Sequence, residues 1–306
     1  MDEPGKRSPA QHVVMWGASG SGKTTFLAAL NIALLRQSGY WRLAGTDSDS
    51  TEKLVEHTHE LAIDRTFPHG TVGVSHTRCR LSGQTYRPRL FRKPQEESVE
   101  IDIDLVDSAG ELLEGRSGED LVDKLSASRA MILFIDPVIE TEIGNTFEHI
   151  YRVLAPLSQL MAQSGRTTKG RMPHYVAVCL TKFDDIRVYK SAEELGLLSY
   201  DASKPGYPEV SGEDARELIM ALSALSRSGY AHLAVDFIER CFHPERVRYF
   251  ITSAVGFYIS QESARFDPND FQNVMPGDHN DRIRGPIYPI NVAESVLWLC
   301  DKLAQP

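Results

Sequence analysis

Two kinds of hydrophobic spacing alternate along the chain. Short apolar runs, continuous or alternating with polar residues, predict strands, whereas apolar residues that recur every three or four positions predict amphipathic helices. The predicted strands cover residues 12–17, 71–81, 98–107, 130–137, 174–185 and 246–256. The predicted helices cover residues 23–37, 142–164, 213–227, 230–241 and 293–304.

This alternation predicts an α/β fold, a three-layer sandwich with a mostly parallel sheet and one antiparallel edge strand. The runs at 130–137 and 174–185 are apolar almost throughout, which is typical of strands buried on both faces of a parallel sheet. The strand at 71–81 can pair antiparallel with the strand at 98–107 across polar residues 82–97.

The domain organisation predicted from the sequence is simple. We expect residues 1–11 to form a disordered tail and residues 12–306 to form a single domain. Turn-rich residues near 186–212 and 260–290 interrupt the alternation and read as insertions, where a protein partner would bind.

Composition excludes several classes of function. The net charge is −9 and the basic residues are spread along the chain, which disfavours nucleic acid as a partner. No run of about 18 apolar residues occurs, so we expect no membrane span. The four cysteines form no Cys-x-x-Cys pair and the N-terminus lacks an apolar signal region, which together favour a cytoplasmic protein.

The sequence WGASGSGKTT at residues 16–25 carries the spacing Gly-x-x-x-x-Gly-Lys-Thr between a predicted strand and a predicted helix. This is the context of a phosphate-binding loop, whose backbone N–H groups surround an anion at the positive end of a helix. Lys23 would reach the terminal phosphates, and the Thr24 hydroxyl would hold Mg²⁺. The fold is therefore expected to be that of a P-loop NTPase. The predicted nucleotide contacts in this loop are Gly17, Ser19, Gly20, Ser21, Gly22, Lys23, Thr24 and Thr25.

A second motif, Asp-x-x-Gly, ends the predicted strand at 98–107. An Asp at the carboxyl end of a parallel strand points into the same crevice as the phosphate loop. Asp107 could hold Mg²⁺ through water, while the Gly110 N–H could meet a terminal phosphate.

The sequence TKFD at residues 181–184 predicts which base is bound. The Asp184 carboxylate can accept hydrogen bonds from the N1–H and the amino group of guanine, whereas adenine offers neither, which leaves the carboxylate unpaired. The stem of Lys182, after Thr181, would lie over the purine. A backbone N–H near Ala254, which follows Ser253, would meet the guanine O6. We therefore expect GTP and GDP as ligands.

In this order the motifs resemble those of the translation-factor-related and Ras-like class of GTPases. The resemblance implies that Thr71, in TVGV, completes the Mg²⁺ shell only with GTP, with Thr66 as the second candidate. More narrowly, SGSGKTTFLAAL, FPHGT and the chain length resemble the bacterial double-GTPase families of immune-like conflict systems, which are encoded beside a second GTPase. That likeness implies a protein effector or second GTPase as partner, and a homodimer is a further option.

One residue departs from the pattern of this class. Many such GTPases carry Gln after Asp-x-x-Gly to orient the attacking water, but this chain has Glu111. A carboxylate beside the anionic γ-phosphate predicts slow turnover unless a cation is added. Arg65 and Arg116 are the candidates for that cation within this chain.

Two functions are compatible with these motifs. The first is a Mg²⁺-dependent GTPase switch, with Lys23, Glu111, Arg65 and Thr71 as catalytic residues and with Thr24, Thr71 and Asp107 serving the metal. The second is a module that binds guanine nucleotide without hydrolysing it, which Glu111 favours. An ATPase is disfavoured by the TKFD motif.

Overall fold

The computed structural model describes residues 11–37, 39–69, 74–89, 92–108, 116–200, 206–262, 264–277 and 281–304. Its strands are β1 (Gln11–Gly17), β2 (Arg42–Gly45), β3 (Val74–Arg89), β4 (Arg92–Ser108), β5 (Ala130–Ile135), β6 (Tyr175–Leu180), β7 (Leu198–Tyr200), β8 (Pro208–Val210), β9 (Val247–Ile251), β10 (Val274–Met275) and β11 (Arg282–Ile283). Its α-helices are α1 (Lys23–Arg36), α2 (Ser48–His59), α3 (Arg116–Ala127), α4 (Pro137–Glu142), α5 (Thr146–Gln163), α6 (Ile186–Glu194), α7 (Gly212–Ala224), α8 (His232–Cys241) and α9 (Val292–Ala304). A π-helical turn, Glu60–Asp64, continues α2, and a 3₁₀ turn, Pro244–Arg246, precedes β9.

Within the described ranges, seven strands form one sheet in the order β2-β3-β4-β1-β5-β6-β9. Strands β4, β1, β5, β6 and β9 pair in parallel, whereas β3 is antiparallel to both β4 and β2. The predicted α/β fold with a mostly parallel sheet and antiparallel pairing at one edge is therefore confirmed. The strand predicted at 71–81 is not outermost, because the four-residue β2 lies beyond it.

The sheet is covered on both faces, which explains its apolar strands. All six residues of β5 are buried, as expected for a strand in the middle of a sandwich. Successive side chains of β1 enter opposite cores, with Val14 and Trp16 in one and Val13 and Met15 in the other. Helices α3, α5, α6, α7 and α8 pack on the first core, and α1, α2 and α9 pack on the second.

The hairpin of β3 and β4 is longer than predicted. Pairing runs from Val74 with Ser108 to Arg89 with Arg92, with a register shift between Arg87 and Arg89. Most of the predicted loop at 82–97 is therefore strand. Polar residues there gave no burial pattern, but backbone pairing in a hairpin does not need one.

Strands β5, β6 and β9 end earlier than predicted, at Ile135, Leu180 and Ile251. The residues after these ends form the loops at one edge of the sheet. The helix predicted at 142–164 corresponds to α5, which begins at Thr146 and ends at Gln163, whereas α4 precedes it. No helix in the described part of the chain is both long enough and apolar enough to cross a membrane.

Candidate functional site

A cavity of about 730 Å³ opens at the carboxyl ends of β1, β5, β6 and β9. This edge is where open parallel sheets bind ligands, because the loops after the strands converge there. The cavity is lined by Ser19, Gly20, Gly22, Lys23, Thr24, Thr25, Phe26, Phe67, Pro68, His69, Val138, Thr181, Lys182, Asp184, Asp185, Arg187, Thr252, Ala254, Val255, Gln272, Val274, Pro276 and Asp281. The structure therefore brings the predicted phosphate loop and the TKFD motif into one cavity.

The phosphate loop joins β1 to α1 through a backbone that requires glycine. Gly20 and Gly22 have φ angles of 76° and 85°, in the left-handed region. Gly22 caps α1 without a side-chain hydrogen bond, and the first turn of the helix holds no acidic residue. A helix N-terminus of this kind carries partial positive charge and suits an anion such as a phosphate.

Lys23 is held inside this loop. Its side chain is 3% exposed, and Nζ donates to the carbonyl oxygens of Gly17 at 3.1 Å and Ala18 at 3.0 Å. Gly17 and Ser21 belong to the loop but do not line the cavity, since Ser21 is fully buried behind it. The ammonium group is thus fixed beside the α1 N-terminus, where a phosphate would be bound.

Asp184, the last residue of the TKFD motif, is hydrogen-bonded to Ser253. The Ser253 Oγ–H donates to Asp184 Oδ1, and the Gly256 N–H donates to Ser253 Oγ at 2.7 Å. Burial raises the pKa of Asp184 to about 6, although the Ser253 hydrogen bond opposes the shift. Ser253, predicted to contact nucleotide, is itself fully buried and acts on the cavity through Asp184, whereas Ala254 lines it.

Lys182 has a partner that the sequence analysis did not identify. Its Nζ lies 2.6 Å from Asp136 Oδ2, and the φ angle of Lys182 is 60°. Asp136 is buried, and its Oδ1 accepts from the N–H groups of Val138 at 2.9 Å and Ile139 at 3.2 Å. Asp136 thus caps α4 and pairs with the ammonium group of Lys182, a residue that lines the cavity. The sequence signal that could have identified Asp136 is a carboxylate directly after a central strand.

Thr181 is also buried at the cavity wall. Its hydroxyl donates to the Ile135 carbonyl oxygen at 3.3 Å, and its N–H donates to the same oxygen at 2.9 Å. These bonds join the end of β6 to the end of β5 and position the residues that follow.

The segment at 260–290 supplies one wall of the cavity. Gln272, Val274, Pro276 and Asp281 line it, on and beside the hairpin of β10 and β11. From the sequence this segment is expected to be an insertion that binds a partner, and its place at the cavity is not predicted. Its turn-rich composition gave no periodic signal from which its position could be derived.

Several predicted residues are not placed at the cavity. Arg65 does not line it, and its Nη1 instead donates to the Arg284 carbonyl oxygen at 3.1 Å. Thr66 forms a β-bridge with Arg282 and does not line the cavity either.

Asp107 and Ser108 are the last two residues of β4, and they pair with Ser75 and Val74 of β3. Thr71, Gly110 and Glu111 lie outside the described residues, and Arg116 is the first residue of α3.

Comparisons with known proteins give weak similarities. No protein-family model and no curated protein matches the chain. Among solved structures, the signal recognition particle receptor SRb-GTP/SRX complex from Chaetomium thermophilum matches 81% of this chain and 93% of that chain, with 13% identity and a TM-score of 0.43.

Two further solved structures are also similar to the chain. Bacterial selenocysteine-specific elongation factor EF-Sec matches 61% of this chain with 15% identity and a TM-score of 0.28, and Sup35 complexed with GDP matches 83% with 14% identity and a TM-score of 0.29. The matches span only 23% and 41% of those two chains. At such identities and TM-scores, the geometry of the site has to carry the functional proposal.

Proposed function

We propose that this protein binds guanine nucleotide with Mg²⁺ in the 730 Å³ cavity and hydrolyses GTP to GDP as a molecular switch. The observation that carries the proposal is that one cavity joins Lys23 and Thr24, at the start of α1, to the carboxylate of Asp184. The first group suits phosphates, the second suits guanine, and the volume is that of a small-molecule site. We also propose that the protein is related to the translation-factor-related and Ras-like GTPases and to the bacterial double-GTPase families, whose motifs resemble its own.

Asp184 supports guanine over adenine. An ionised carboxylate accepts the N1–H and the amino group of guanine together, and the Ser253 hydrogen bond fixes its orientation. Adenine presents no such donor pair and would leave the Asp184 carboxylate with only its Ser253 hydrogen bond, which is a strong basis for rejection. Lys182, held by Asp136, would lie over the purine ring.

The phosphate end of the cavity fits Mg²⁺ as well as phosphate. Thr24 lines the cavity, and Asp107 is the next-to-last residue of β4, which pairs with β1, the strand that leads into the phosphate loop. Hydroxyl and carboxylate oxygens are ligands that Mg²⁺ prefers, and the metal when bound would neutralise phosphate charge. Lys23 would neutralise further charge on the terminal phosphates, with Thr71 as the proposed third metal-site residue.

Glu111 decides how fast GTP is hydrolysed. A carboxylate in the place of the water-orienting Gln predicts slow turnover, and Arg65 already donates to a backbone carbonyl. A partner GTPase, an effector or a second copy of the chain would then supply the cation. Glu111 also favours the second candidate function, a guanine-nucleotide module without hydrolysis.

The proposal is tested by calorimetric titration of the full chain with GTP, ATP and XTP in the presence of Mg²⁺. We expect GTP to bind and ATP not to bind. The variant Lys23→Ala should lose GTP affinity while remaining folded by circular dichroism, and Asp184→Asn should shift preference from GTP to XTP. Asp267→Asn, an exposed carboxylate that does not line the cavity, is the matched control and should bind like the wild type.

The two candidate functions separate in a second assay. Phosphate release from GTP is measured over a range of protein concentrations and should be slow. If dimerisation completes the site, the specific activity should rise with protein concentration. Bound GTP without phosphate release, even with Glu111→Gln, would instead support the non-hydrolysing module. Unchanged GTP affinity in Lys23→Ala would refute the phosphate-loop assignment.

A further inference from the structure

Among the described residues, three carboxylates line the cavity, and the protein already engages two of them. Asp184 accepts from Ser253. Asp185 accepts from the Arg187 N–H at 2.9 Å, and its Oδ2 lies 3.0 Å from Arg187 Nη2. The third is Asp281, whose carboxylate has no hydrogen-bond or ion-pair partner among the described residues. The Asp281 side chain is exposed at the cavity, where a ligand can reach its acceptor oxygens.

Asp281 belongs to a wall that is fixed to the base-binding loop. Asn273 is fully buried, and its Nδ2 donates to the carbonyl oxygens of Val255 at 3.1 Å and Pro286 at 3.4 Å. Its Oδ1 accepts from the Gly285 N–H at 2.8 Å. Since Val255 follows Ala254 at the cavity, Asn273 ties the hairpin of β10 and β11 to the loop that would meet the base.

A second set of contacts stiffens the same wall. Arg284 pairs with both carboxylate oxygens of Asp270, and its guanidinium carbon lies 3.6 Å from the centroid of the Tyr258 ring. The Ile283 N–H donates to the Arg65 carbonyl oxygen at 2.9 Å, which attaches β11 to the segment leading to Phe67. Ile283 and Arg284, which follow Asp281 closely in sequence, are thus held by contacts with other segments of the chain.

The chemistry of a bound nucleotide leaves one part for Asp281 to recognise. Phosphates are anionic, would be repelled by a carboxylate and belong with Lys23 and the α1 N-terminus. The base edge belongs with Asp184 and Ala254. The ribose remains, and its hydroxyls are neutral donors of the kind that Asp and Glu side chains bind in nucleotide sites.

We propose that Asp281 accepts a hydrogen bond from the 2′- or 3′-hydroxyl of the ribose of the bound guanine nucleotide. Gln272 of the same segment also lines the cavity. The inference rests on the proposed guanine-nucleotide site and assigns to the 271–285 segment a direct role in recognising ribonucleotide. Asn273 is a positioning residue for this contact, because it acts through the backbone that carries the wall.

The test is a cycle of affinities with the full chain. GTP, 2′-deoxyGTP and 3′-deoxyGTP are titrated calorimetrically into the wild type and Asp281→Ala, with Mg²⁺ present. A hydrogen bond to a charged acceptor predicts that the wild type binds GTP about tenfold or more tightly than the analogue lacking the contacted hydroxyl. In Asp281→Ala that ratio should fall to about one, because the acceptor is gone. A general change of charge near the phosphates affects all three ligands and cancels in the ratio.

The control is Glu262→Gln, an exposed carboxylate that precedes the 271–285 segment and does not line the cavity. It should keep the wild-type ratio. An unchanged ratio in Asp281→Ala, or an equal loss for all three nucleotides, would overturn the ribose contact while leaving guanine binding intact. If the wild type bound no guanine nucleotide, the proposed function and this inference would both be overturned.

Discussion

Replacing Asp184 by Asn is expected to stabilise the nucleotide-free protein. Burial raises the pKa of Asp184 from its ordinary 3.8 to about 6, so the native state holds the ionised carboxylate at a cost. The amide of Asn does not ionise, yet its oxygen can still accept from Ser253. The substitution therefore removes the buried charge and keeps the hydrogen bond.

The magnitude follows from linkage between protonation and folding. A carboxyl pKa that is raised in the native state means that this state binds more protons than the unfolded chain between pH 3.8 and about 6. The stabilising contribution of this proton is complete below pH 3.8 and is lost as pH rises through 6. At about 1.4 kcal/mol for each pKa unit, ionised Asp184 destabilises the native state by about 3 kcal/mol at pH 7. Partial solvation within the cavity reduces the expected gain of Asp184→Asn to about 1–3 kcal/mol.

The assay is urea unfolding of nucleotide-free wild type and Asp184→Asn at pH 7 and pH 5. Between these values the wild type regains about 1.4 kcal/mol through Asp184 protonation, whereas the variant regains none. Other titrating groups are common to both proteins, so their difference in free energy of unfolding isolates Asp184. The reasoning is refuted if the variant is no more stable at pH 7, or if its advantage does not shrink at pH 5.

Three further substitutions test the supports of the site. Ser253→Ala removes the donor to Asp184 and should raise the pKa of Asp184 further. GTP affinity should therefore fall more steeply between pH 8 and pH 6 than it does in the wild type. A pH profile parallel to that of the wild type would contradict this. Asn273→Ala removes three hydrogen bonds of a buried side chain and should lower the free energy of unfolding by about 2–4 kcal/mol in urea unfolding. A change below about 1 kcal/mol would contradict the proposed role of Asn273 in fixing the wall. Gly17→Ala places a Cβ 2.8 Å from the Phe134 carbonyl oxygen and should destabilise the native state by about 1–3 kcal/mol. The measurement is the Tm, which should fall, and an unchanged Tm would contradict the prediction.

The strands and helices that the sequence predicted well are those whose burial is periodic. The apolar pattern is clear in β1, β5, β6 and α1, because these elements pack against a core with all of their residues or with one face. The elements that were missed have few buried side chains to record. In α2, for example, Ser50 and Leu54 are the buried residues, and β2 has only four residues of intermediate or full exposure.

The site divides in the same way. The phosphate loop and TKFD are continuous motifs, because the backbone N–H groups, the Lys and the Asp that their chemistry needs are close in sequence. Asp136 belongs to no such motif, and its partner Lys182 becomes visible only when β5 and β6 lie side by side. The sequence likewise placed Arg65 near the phosphates, whereas the structure bonds it to the Arg284 carbonyl.

The sequence by itself thus determined the layered fold and both ends of the proposed nucleotide site. The tertiary structure alone decided the third part of the cavity, where Asn273 binds the Val255 carbonyl oxygen and Asp281 is among the lining residues. The physical reason is that local motifs and burial periodicity are written in neighbouring residues. Contacts between distant segments depend on how the chain folds back, and hydrogen bonds of a turn-rich segment leave no periodic trace in its sequence.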